Sequence, residues 1–206
     1  MTLVTLSAPY GAGGSRVGPA VAERLDLPFV DRAIPTGVAE RLALPLREAV
    51  ARDESVENWL TRALLSFGQV GPVLAGAAPP PTELVTGDAF RAATEQVLHE
   101  LAAQGAVVLG RAGALVLAGV PGALHVRLTG PRDARIAQGA ELEHLDRETA
   151  ARHLEESDNA REAYVRHFYR CDPTDAVHYH LVIDSTALPL DACAALIADA
   201  ALARRA

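Results

Sequence analysis

The sequence predicts an α/β protein: a doubly wound, mostly parallel sheet of about five strands in a single domain covering residues 1–206. Three observations carry this. Short apolar runs alternate with longer stretches whose apolar residues recur at helical spacing. The run Ala106–Leu109 is continuously apolar, as in a strand buried on both faces of a parallel sheet. A small-residue turn at 7–14 joins the first apolar run to the first amphipathic stretch, at the strand end where open α/β sheets hold ligands.

Taken in order, Leu3, Val4 and Leu6 form the first strand, and Val17, Val21, Ala22 and Leu25 lie on one face of a helix starting near Ser15. Glycines 11, 13 and 14 let backbone N–H groups converge, and the helix adds the positive end of its dipole, so the turn is built for an anion. Residues 27–34 read as a short buried strand ending in Asp31 and Arg32, and 37–67 as mostly helical. The stretch 68–81, with its triple proline, neither propagates a helix nor donates to a sheet, and is expected to be a mobile loop. Thr82 or Thr86 caps a helix running to about Ala103, and Gly105 stops it. Residues 123–128 form a strand, Pro131 suits a helix start, and 146–170 is a charged helix or helix pair. Residues 179–184 are the last strand, and 189–205 an Ala/Leu helix.

Composition narrows the function. Nineteen basic and twenty-six acidic residues give a net charge of -7, and every basic residue is an arginine, which disfavours non-specific nucleic-acid binding. Cys171 and Cys193 form no CxxC pair, so free thiols in a reducing compartment are expected. No apolar run has the length of a membrane span and the N-terminus carries no basic leader, so a cytoplasmic protein without membrane or nucleic-acid partners is expected.

Two phosphate-loop patterns compete at the first turn. G-x-G-x-x-G begins at Gly11 but meets Arg16 at its third glycine, although Asp31 follows twenty residues later. G-x-x-x-x-G-K-[ST] has Ala8 at its first position, Gly13 at its second glycine, Gly14 at its lysine and Ser15 at its hydroxyl. The bare patterns leave a dinucleotide-binding oxidoreductase and a phosphate-loop kinase both open.

Longer blocks favour the second. SAPYGAGGSRVGPAVAERL resembles the nucleotide loop and first helix of cytidylate kinases. VVLGRAGALVLAGVPGALHVRLTGPRDARIA is similar to that family's strand, Gly-Arg turn, strand and lid entry. LEESDNAREAYVRHF and YHLVIDSTALPLDACAALI resemble its Asp-x-x-Arg helix, closing strand and last helix. The blocks keep family order, whereas 37–90 matches poorly, and the pattern is nearest the divergent cytidylate kinase-like branch.

The resemblance implies a P-loop NTPase-like, three-layer α/β/α fold with a helical lid at 131–170 and an acceptor-side helical region at 37–104. It implies an ATP-dependent phosphotransferase using Mg2+ and a small phosphate acceptor such as CMP. Gly11, Ala12, Gly13, Gly14, Ser15 and Arg16 would hold the donor, with the Ser15 hydroxyl on the metal. Asp31, Arg32, Arg91, Arg111, Asp158 and Arg161 would hold the acceptor, Asp158 at its ribose and Arg161 at its phosphate. Arg16, Arg111, Arg135 and Arg161 would supply the cations that neutralise the moving group.

Departures from the pattern keep a second reading, a weak or inactive nucleotide-binding regulatory module. Gly14 replaces the loop lysine, Ala112 the aspartate that reads cytosine, and Leu154, Ser157 and Asn159 occupy lid arginine positions, with Arg132, Arg152, Arg166 and Arg170 nearby. Cys171, Asp172, Asp175, His178 and His180 match no metal-ligand spacing and read as a polar turn.

Overall fold

A computed structural model describes residues 2–31, 87–110 and 112–204. The expected helical region and loop between 37 and 86, together with Arg32 and Arg111, lie outside the described residues.

Five strands form one sheet: β1 (Leu3–Ser7), β2 (Phe29–Val30), β3 (Ala106–Leu109), β4 (Leu124–Thr129) and β5 (Leu181–Asp184). Every pairing is parallel, in the order β2-β3-β1-β4-β5. The helices are α1 (Gly14–Leu25), α2 (Gly87–Gln104), the single turn α3 (Gly113–Val116), α4 (Arg132–Glu143), α5 (Arg147–Tyr169) and α6 (Leu190–Ala203). A 3-10 turn, Ala176–His178, precedes β5.

Strand alternation sends side chains to two cores. Val4, Leu6, Leu124, Val126 and Leu128 face α1 and α6, where Val17, Val21, Leu25, Cys193, Ala194, Ile197 and Ala201 complete a buried cluster. Cys193, Ala194, Ala198 and Ala201, small residues on one face of α6 together with Ile197, let it lie against α1. On the other face Leu3, Ala106 and Val108 pack with Leu98 of α2 and Leu117 beyond α3.

Of the strand expected at 27–34, residues 32–34 lie outside the described residues, and Leu27, Pro28 and Asp31 fall outside β2. Among the described residues Phe29 and Val30 pair with β3 as a strand, and Pro28, which lacks an N–H, contributes its carbonyl to Val107 at 2.9 Å. The charged segment 146–170 is one helix, α5, capped by the Asp146 carboxylate on the Thr149 N–H at 2.9 Å. It folds back on α4 through His144, whose positive φ ends that helix, and the two form a hairpin.

Because β1 joins α1 on one side of the molecule while β3 leads away toward β4 on the other, a crevice opens at the carboxyl ends of the central strands. Gly110 stays tied to it, its N–H donating to the Leu6 carbonyl at 2.8 Å.

Candidate functional site

The crevice is a cleft of about 420 Å³. The turn after β1 forms its floor, Gly110 and α3 one side, and α4 and α5 the other.

The turn's backbone is oriented by where its carbonyls go. Those of Tyr10, Gly11 and Ala12 accept from Arg135 Nη1 (2.9 Å), Gln138 Nε2 (2.8 Å) and Ser185 Oγ (2.8 Å), and that of Gly13 accepts from the N–H of Arg16 and Val17. Among the described residues, by contrast, the N–H groups of Gly11, Gly13, Gly14 and Ser15 donate to no protein acceptor. With the carbonyls of residues 10–13 bonded, these amides are left at the N-terminus of α1, on the floor of the cleft. Gly13 has φ 72°, the left-handed geometry that lets the chain enter α1 there.

Gly14 stands where a phosphate loop carries lysine, and the site is built without room for a side chain there. A Cβ at this position falls 2.6 Å from Ala8 Cβ and 3.0 Å from Leu109 Cδ1. Ser15 and Arg16, in the first turn of α1, are exposed to the cleft.

Tyr10 joins the turn to the helical hairpin. Its ring is buried with Ile136, Ala150 and Leu154, lies where a Cβ of Gly139 would be, and donates its hydroxyl to Glu143 Oε2 at 2.9 Å. Burial, followed by the Glu143 carboxylate, pushes its phenol well above the ordinary value.

Of the residues singled out by sequence, Gly11, Gly13, Gly14, Ser15, Arg16, Asp31, Arg135, Asp158 and Arg161 line the cleft together. Ala12 is buried behind them, and Arg91 lies along α2, paired with Glu95 at 2.8 Å outside the cleft lining. Asp158 accepts from the Tyr10 N–H (2.8 Å), Arg135 Nη1 (2.6 Å) and Arg161 Nη1 (3.4 Å). The Arg161 guanidinium is held below its ordinary value, first by desolvation and then by Arg135, with Asp158 and Asp31 opposing. Arg132 and Arg147 pair with exposed Glu155 and Asp133 outside the cleft lining, whereas Arg166 pairs with Asp172 and with Glu162, which is part of that lining.

Sequence reasoning missed Tyr10, Gln138, Ser185 and Arg127. Arg127 Nη1 donates to the Pro173 carbonyl (2.8 Å) and Ser7 Oγ (3.4 Å), and its guanidinium lies 5.7 Å over the Tyr179 ring. The alternation Leu124, Val126, Leu128 against His125 and Arg127 is the signal that turns it away from the apolar core. His180, at the end of the stretch read as a polar turn, stacks on His125 with centroids 4.9 Å apart and takes the His125 N–H on Nδ1 at 2.9 Å.

The model of the cytidylate kinase-like family matches residues 3–187 of this chain. A curated uronate isomerase of Corynebacterium glutamicum is 25% identical over 147 residues, 71% of this chain and 27% of that protein. The chain thus spans about a quarter of the length of that curated relative. An uncharacterized protein from Eubacterium ventriosum ATCC 27560 shares the fold, with a TM-score of 0.65 at 15% identity over 97% of each chain. A gluconokinase from Sinorhizobium meliloti 1021 aligns with a TM-score of 0.48 at 20% identity, over 98% of this chain and 90% of its own.

Proposed function

The chain belongs to the cytidylate kinase-like family, and on that premise we propose that it transfers the γ-phosphoryl group of ATP to a small phosphate acceptor such as CMP. The observation that carries this reading is the orientation of the turn at 10–13. Its carbonyls are bonded outward, and its amides are left for the donor's terminal phosphates.

In this reading the amides of Gly11, Gly13, Gly14 and Ser15 hold the β- and γ-phosphates, and the exposed Ser15 hydroxyl is a ligand for Mg2+. When bound, the metal neutralises charge on the donor phosphates. Arg16 and Arg161, both in the cleft lining, are the described cations that face the transferring group, and Arg111 joins them in the role the family resemblance gives it. A phosphate oxygen of the acceptor attacks the γ-phosphorus as the bond to the β–γ bridging oxygen breaks, and ADP leaves. The protein's work is positioning and charge neutralisation.

Asp31, at the end of β2 across the cleft from α5, stands on the acceptor side with Arg161. Ala112 offers no carboxylate to read a cytosine, so the acceptor's base is the open part of the assignment. No helix among the described residues is long and apolar enough to cross a membrane, and Cys171 and Cys193 are free thiols; both fit a cytoplasmic enzyme.

The test is nucleoside diphosphate formation from ATP–magnesium with a panel of monophosphates, beside calorimetric binding of ATP–magnesium. Arg161→Ala is expected to lower acceptor-dependent turnover by about a hundredfold or more. Absence of ATP binding, or binding without transfer to any monophosphate in the panel, overturns the reading.

A further inference from the structure

We propose that Asp158 and Arg135 are positioning residues for the phosphate loop: they grip Tyr10 by both of its main-chain polar groups, and Asp158 does not serve the acceptor's ribose. Asp158 Oδ1 accepts the Tyr10 N–H at 2.8 Å, while Arg135 Nη1 donates to the Tyr10 carbonyl at 2.9 Å. The two side chains close the grip on each other at 2.6 Å, and Arg135 Nε is anchored on the Gly130 carbonyl at 3.1 Å. Both are mostly covered, with side chains 13% and 18% exposed, so these charge-assisted bonds are shielded from water.

The rest of the contact agrees. Arg135, Gln138, Gly139 and Glu143 recur at helical spacing on one face of α4, and each meets residue 10 or 11. A Cβ on Gly11 would fall on the Arg135 carbonyl, so the helix backbone itself touches the loop. A carboxylate engaged by a main-chain amide and two guanidinium groups has little left to offer a sugar hydroxyl. Arg135 spends its Nε and Nη1 hydrogens, three of about five guanidinium donors, on two carbonyls and that carboxylate. The loop's anion-binding shape is therefore set by α4 and α5.

The proposal rests on the phosphotransferase reading only for the identity of the anion, and pyrophosphate tests it without ATP. Asp158→Ala removes both holds; Asp158→Asn keeps an oxygen for the Tyr10 N–H but loses the charge that orders Arg135. We expect affinity for pyrophosphate and for ATP–magnesium to fall about tenfold or more in Asp158→Ala and less in Asp158→Asn, with the acceptor KM unchanged. Hydrogen exchange at the Tyr10 amide accelerates in the alanine variant and is restored in the asparagine one. If Asp158→Ala does not fold, the asparagine variant alone decides, by whether it weakens pyrophosphate binding or raises the acceptor KM. A raised acceptor KM with pyrophosphate and ATP affinity intact overturns the proposal. If the unsubstituted protein binds pyrophosphate but not ATP, the kinase reading fails while the pyrophosphate ratio still decides the grip. If it binds neither, both fall.

Discussion

At position 14 the missing lysine is a matter of space as well as chemistry. Ala8 and Leu109 fill the volume that the first carbon of any side chain would need. Gly14→Lys is therefore expected to destabilise the fold by about 1–3 kcal/mol through overpacking, without raising phosphoryl transfer. Thermal denaturation and turnover of the variant check both halves. Equal or greater stability with faster turnover would show that the loop readily opens to admit a cation there. Arg16, one residue past the Ser15 hydroxyl, and Arg161, across the cleft, face the ligand from other directions. In the proposed reaction their charges act on donor and acceptor without needing the crowded floor.

Among the elements, the turn after β5 reaches the phosphate loop through one buried hydroxyl. Ser185 Oγ lies 2.8 Å from the Ala12 carbonyl and 3.2 Å from that of Thr129, and the residue is wholly buried. Ser185→Ala leaves the Ala12 carbonyl short of its outward donor, at an expected cost of about 1 kcal/mol. It should also weaken ATP binding, because the Ala12–Gly13 peptide is then less firmly turned. Calorimetry on the variant, set against its melting temperature, separates the two effects. The serine was legible in the sequence only as part of an Asp-Ser-Thr turn resembling the family's, since nothing near it in the chain shows which carbonyl it faces. The same holds for Asp158. Its i, i+3 spacing to Arg161 reads as a helix ion pair or an acceptor site, and its hold on Tyr10 spans 148 positions of sequence. By contrast β1, the loop, α1, β3 and α6 were legible because each carries its own periodicity and punctuation, whose cause is local.

For the molecule as a whole, buried His125, stacked on exposed His180, sets an acid limit. His125 is 4% exposed, shares a 2.8 Å hydrogen bond with Thr5 Oγ1, and is held down to about 4, first by burial and then by His180 and Arg204. Unfolded, the same side chain takes its proton near 6.5, so between these values the unfolded chain binds more protons. The contribution is complete above the unfolded value and is lost as pH falls toward 4, to the extent of about 3 kcal/mol. Denaturant titrations across that window should show the slope, and His125→Asn should flatten it. An unchanged slope in the variant would place the acid sensitivity elsewhere. The groups that hold the carbonyls of residues 10–12 arrive only with Arg135, Gln138 and Ser185, more than half the chain later. A chain synthesised only as far as β3 therefore carries the glycine turn without Arg135, Gln138 or Ser185 to bond its carbonyls.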